Sequence, residues 1–159
     1  MATTSTFVST AGGSAALSRT TFPVASINPQ LAAPTINYGS GSTAGNTDGI
    51  YMGAVSATTG GVSLNVHNSS ITDVLGNALV AAHVCSIHIV NTGASTVTLT
   101  GNLITSVFGT SVPIEAGGQF KMDMPTTGWV VTGSSADTIT FTATTGTVVC
   151  NVAIATRSA

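Results

Sequence analysis

From about Gly49 onward, apolar side chains recur at every second position. Val62, Leu64 and Val66 alternate with polar neighbours, and so do Cys85, Ile87 and Ile89. The pattern returns at Val97 and Leu99, at Phe120, Met122 and Met124, at Ile139 and Phe141, and at Val148, Cys150, Val152 and Ile154. A period of two marks a strand with one face turned inward, because successive side chains leave a strand on opposite sides. The intervening positions are often threonine, as in TVTLT (96–100) and TITFT (138–142). Branched side chains of this kind suit a pleated surface. NTGAS (91–95) and TTG (144–146) carry the residues that close hairpins. EAGG (115–118) offers two glycines where a positive φ is expected. SITDVLGNALV (70–80) is the only stretch that reads as a helical turn. Together these signals predict an all-β chain, a single jelly-roll β-sandwich of about eight strands over residues 49–159.

Residues 1–48 follow no such period. Pro23, Pro29 and Pro34 interrupt them, and Gly, Ser, Thr, Ala and Asn dominate. Yet Phe7, Val8, Leu17, Phe22, Ile27, Leu31 and Tyr38 are scattered through the segment. A solvated linker holds few such residues. Apolar anchors spaced along an extended segment suit a chain that lies on another protein and fills separate grooves. The expectation is a long extended N-terminal arm, with those seven residues as its partner-binding positions.

Charge narrows the function classes. Only 5% of residues are charged, against about 25% in an ordinary soluble domain. A lone domain with so few charges has little protection against association, so self- or partner-assembly is expected. Three Lys and Arg residues are too few to neutralise a nucleic-acid backbone. No run reaches the 18 or so apolar residues of a spanning helix, and one Trp with two Tyr makes a poor aromatic girdle for a membrane barrel. The first twenty residues have no cation ahead of an apolar core and do not read as a secretory signal.

No pattern singles out a catalytic or cofactor site. His67, His83 and His88 invite a metal reading. On a regular strand, however, His83 and Cys85 share one face and His88 the other, so ligands do not converge without a bulge. The carboxylates Asp48, Asp73, Glu115, Asp123 and Asp137 sit mostly where turns or strand ends are expected, and there an Asp is commonly a local backbone acceptor. The glycine runs at 12–16 and 39–45 lack the Lys-Ser/Thr ending of a phosphate loop. Cys85 and Cys150 are too few for a disulfide scaffold; they read as small buried hydrophobes or as one cross-strand pair. The expectation is a protein that is not an enzyme and carries no cofactor or metal.

Three segments together resemble small jelly-roll virion proteins of tailed bacteriophages, of the head decoration or cement type. They are SLNVHNSSITDVLGNAL, VCSIHIVNTGASTVTLTGN, and VPIEAGGQFKMDMPTTGWVVTGSSADTITFTATTGTVVCNVAIAT. The resemblance is one of cadence and spans about two-thirds of the chain. It implies a jelly roll displayed on the capsid exterior after assembly in the host cytoplasm. Its implied partners are major capsid protein and copies of itself as a dimer or trimer, with no nucleic acid and no membrane. Two alternatives stand beside it. One is a glycan- or receptor-binding fibre module, for which Tyr38, Tyr51 and Trp129 would be the stacking candidates. The other is a small jelly-roll coat or tail structural protein.

Overall fold

The structure, a computed structural model, describes residues 5–9, 15–19, 26–27, 39–124, 126–133 and 136–158. Side chains are described from Gly41 onward. The chain divides into two compact units, residues 1–37 and 38–159.

In the first unit, β1 (Ser5–Ser9), β2 (Ala15–Arg19) and β3 (Ser26–Ile27) pair antiparallel in that order. The register sets Phe7 opposite Leu17, Val8 opposite Ala16, and Leu17 opposite Ile27. Four of the expected anchor positions thus fall on paired strands. Phe22, Leu31 and Tyr38 lie outside the described residues.

The second unit is all-β with one short helix. It opens with β4 (Gly39–Ser40), paired parallel to β5 (Asn46–Thr47). The main strands follow: β6 (Gly49–Thr58), β7 (Val62–Asn65), β8 (His83–Asn91) and β9 (Val97–Thr100). After α1 (Asn102–Phe108) come β10 (Val112–Ile114), β11 (Gln119–Asp123), β12 (Trp129–Val130), β13 (Thr138–Ala143) and β14 (Thr147–Arg157). They form one nine-stranded mixed sheet, ordered β10-β9-β13-β6-β14-β8-β11, with β7 on β13 and β12 on β8. The sheet curls. All its pairings are antiparallel except one: β13 meets β6 in parallel at the single position Thr142–Thr58. On one side of that joint lie β10, β9, β13 and β7. On the other lie β6, β14, β8, β11 and β12.

The period-two stripes from both sides meet in one core. Val97, Leu99, Ile139 and Phe141 come from the first side; Val55, Ile87, Ile89, Val148, Val152 and Ile154 come from the second. All are buried to 3–4% exposure or less. Each such side chain contributes about 1.5–3 kcal/mol on burial.

Four sequence expectations are corrected. NTGAS does not close a hairpin, because β8 and β9 do not pair. It is a crossing, pinned by the fully buried Asn91. The Asn91 amide donates to the carbonyls of Ser95, Ile114 and Glu115 at 2.9–3.0 Å, and its oxygen accepts from Gly93 N–H. TTG does not close one either, because β6 lies between β13 and β14. Its Thr144 N–H and Thr145 carbonyl bond instead to Thr96 and Ser95 of the other crossing. In EAGG only Gly117 takes a positive φ, 73°. Residues 70–80 form no helix. Asp73 folds them into a loop, and the bridge Thr72–Ala78 closes it. The helix lies at α1 instead, where Leu103 and Ile104 enter the core.

Candidate interaction surface

The outward positions of β6, β14, β8 and β11 line up by register. Ile50, Ala155, Ser86 and Asp123 form one row; Met52, Ala153, His88 and Lys121 the next; Ala54, Asn151, Val90 and Gln119 a third. Ser56 and Val149 continue the face. In these rows the only acidic or basic side chains besides His88 are Lys121 and Asp123, both on β11. Met52 is 67% exposed, Ile50 42% and Val149 41%. A shallow depression of about 480 Å³ opens among Met52, Gly53, His88, Val90, Asn151 and Ala153.

The loop after β7 extends this apolar ground. Val74 N–H donates to the Ile50 carbonyl at 2.8 Å, which holds the loop beside β6. Its tip presents Leu75 at 82% exposure, with Val74 and Val80 also exposed. The loop is stapled by the Asp73 carboxylate, which accepts from the backbone N–H groups of Leu75 and Asn77 at 2.9 and 2.7 Å. The Asn77 backbone bond, with smaller help from its side chain and from Leu75 and Gly76, holds the Asp73 carboxyl below the usual range. A charged staple therefore displays apolar residues, as expected of a turn aspartate.

The other chemical candidates do not converge. β8 does carry a bulge: β14 pairs Ala155 with Ser86 and Thr156 with Val84, skipping Cys85. Even so, among the described residues no three His, Cys, Asp or Glu groups lie close enough to hold a metal ion. The His67 ring bonds to the Ala81 carbonyl at 2.8 Å, and His88 to Gln119 at 3.1 Å. Cys85 and Cys150 are buried thiols not joined in a disulfide, and burial pushes both up, holding them protonated. Asp48 accepts from the backbone and hydroxyl of Ser158. Asp123 accepts from Ser86 Oγ at 2.6 Å. Asp137 is buried against Asn65 and Asn102. Glu115 lies exposed at the β10–β11 turn. Trp129 is only 9% exposed and belongs to the core, and Tyr51 is half-buried against it. Neither is laid out as a platform for stacking a sugar. Among the described residues no helix is long and apolar enough to cross a membrane.

Among the described residues, the Nδ1 of half-buried His83 is the one buried side-chain nitrogen or oxygen without a hydrogen-bond partner. Burial lowers its pKa below 6.5, and the nearby Arg157 adds to this. A depressed histidine pKa means that the unfolded chain binds the proton first. Its contribution to stability is therefore complete above 6.5 and is lost as pH falls below it. Cys85 also feels Arg157, and burial holds its thiol protonated across this window. The expected result is a lower melting temperature at about pH 5.5 than at about pH 7.5, with a smaller drop in His83→Gln. Calorimetry at both pH values checks it.

The sequence signal for this surface was present and went unread. β6, β8 and β14 carry apolar residues at both parities, as in Val148-Val149 and Ile89-Val90. Strands apolar on both faces are generally covered on both faces. Comparison with known proteins adds no name to this surface: the chain matches no family model, no curated protein and no solved structure.

Proposed function

We propose that the chain is a non-enzymatic structural subunit of a virion, a head decoration or cement protein that binds major capsid protein and copies of itself. The observation that carries this reading is the outer face of β6, β14 and β8. It exposes Ile50, Met52 and Val149 beside the Leu75 loop and bears no acidic or basic side chain other than His88 and the β11 pair. An exposed apolar patch of this kind marks an interaction surface, and a subunit packed among neighbours keeps it covered. In this reading the curled sheet is a jelly-roll sandwich, its two halves joined at Thr142–Thr58, and residues 1–37, the larger part of the expected arm, reach over adjacent capsid subunits. The protein sits on the capsid exterior and reaches it from the host cytoplasm. The buried Trp129 weighs against a glycan-binding role.

The test is co-sedimentation with purified phage capsids. The full chain is expected in the capsid pellet. A chain lacking residues 1–37 is expected to melt cooperatively, with its strand signal intact, yet stay in the supernatant. Full binding by the truncated chain would remove the arm from the reading. No binding by the full chain would remove the capsid.

A further inference from the structure

The two ends of the sheet are treated differently. β10 ends one side and carries Pro113. Proline lacks an N–H and blunts an edge against pairing. β11 ends the other side and carries no proline.

The orientation of the β11 backbone follows from its bonds to the rest of the sheet. The Gly118 carbonyl accepts from Asn91 N–H at 2.9 Å, and Met124 N–H donates to the Cys85 carbonyl at 2.7 Å. Even-numbered residues therefore turn their backbone groups toward β8. In an antiparallel ladder these directions alternate. The N–H and C=O groups of Gln119, Lys121 and Asp123 thus point away from the sheet, along its open edge.

The side chains along that edge are antisymmetric. The order is Phe120-Lys121-Met122-Asp123-Met124, so the charges reverse sign about Met122. Lys121 Nζ lies 3.3 Å from Asp123 Oδ2, with the lysine side chain 57% exposed. Phe120, Met122 and Met124 are half-buried and turned to the core side.

We propose that two copies of this chain pair edge to edge through β11, antiparallel, with the two-fold axis at Met122. Residues of like backbone orientation must face each other across an antiparallel pair, so the axis falls on a residue. An axis at Lys121 or at Asp123 sets that charge against itself. An axis at Met122 sets Lys121 opposite the second copy's Asp123 twice over, on the outer face. On the core side it sets Phe120 opposite the second copy's Met124, and Met122 opposite its counterpart. The open backbone groups of Lys121 and Asp123 then bond to each other's chain. Such a contact is isologous, as in most dimers, and it makes the two outer faces continuous. The proposal rests on the self-association in the reading above and is independent of capsid binding.

The experiment uses the full chain and measures mass by analytical ultracentrifugation. The wild-type chain is expected to dimerise. Lys121→Asp and Asp123→Lys each turn two cross-strand attractions into two repulsions, so each is expected to weaken the dimer at least about tenfold in Kd. Mixing the two single variants restores every opposite-charge pair, and a mixed dimer of near wild-type affinity is expected. Recovery in the mixture also shows that both variants are folded. Three outcomes overturn the proposal. Wild-type dimers untouched by either substitution would place self-association on another surface and leave the wider reading standing. A wild-type chain monomeric at about 100 µM would remove self-association itself. Dimerisation only after removal of residues 1–37 would assign the β11 edge to the chain's own N-terminal segment.

Discussion

Replacing Asp137 by alanine is expected to lower the unfolding free energy by about 3–5 kcal/mol. Asp137 is 4% exposed. Its Oδ2 accepts from Asn65 Nδ2 and its Oδ1 from Asn102 Nδ2, each at 2.9 Å. Hydrogen bonds to an ionised group contribute about 1.5–3 kcal/mol each, and the alanine removes both. The loss spreads because Asn102 is held from two directions. Its Oδ1 accepts from Asp137 N–H at 2.8 Å and from Thr138 N–H at 2.6 Å. One carboxylate thus ties the end of β7, the start of α1 and the start of β13 together. Asp137→Asn keeps the shape but must aim an amide N–H₂ at one of two other amide donors, and is expected to lose roughly half as much. Urea unfolding of the three proteins gives the ranking. A loss below about 1 kcal/mol for alanine would mean that water replaces the carboxylate, and that the knot is ornamental to stability.

The strands were legible in the sequence because burial follows parity. Leu99, Ile139, Phe141, Val148, Cys150 and Ile154 were each placed inward by alternation, and each is buried. Pairing was not legible. NTGAS and TTG have the composition of hairpin turns, but turn chemistry governs only local geometry. Which strand neighbours which is decided by contacts distant in sequence, here the bonds of Asn91 to Ile114 and Glu115, 23 and 24 residues on, the 50-residue reach of Ser95 to Thr145, and the insertion of β6 between β13 and β14. The short helix was missed for a related reason. NLITSVF contains three β-branched residues, Ile104, Thr105 and Val107, and reads equally well as strand. Only the glycines on either side, Gly101 and Gly109, bound it as a helix. The exposed apolar face was missed because alternation was read as one apolar face and one polar face. Val90 and Val149 occupy the supposedly polar parity. The near absence of charge extends to that face, which has few ions to keep a neighbour away.

The second large effect lies at Gly101, which ends β9 and starts α1. Its φ of 96° and ψ of 164° belong to a region that side chains essentially never enter. An added Cβ would stand 2.5 Å from the Thr138 carbonyl oxygen and 3.0 Å from Thr140 N. Both are backbone atoms of β13, the strand at the joint of the sheet, so no rotamer change relieves the clash. Moving the backbone would break the β9–β13 register at Thr100–Thr140 and release Leu103 and Ile104, each 1% exposed, from the core. Gly101→Ala is therefore expected to cost about 3 kcal/mol or more. Gly109 supplies the control within the same helix. It takes the left-handed conformation at φ 70°, but no atom lies within 4 Å of the position of an added Cβ. Gly109→Ala then meets only the intrinsic penalty of that conformation, about 1–2 kcal/mol. The two substitutions are identical in chemistry and differ in backbone conformation and in what the methyl group meets. Thermal unfolding that ranks Gly101→Ala well below Gly109→Ala would show that the Gly101 conformation and its close approach to β13 together require glycine at the end of β9. Equal losses would mean that β13 yields to the methyl group at little cost.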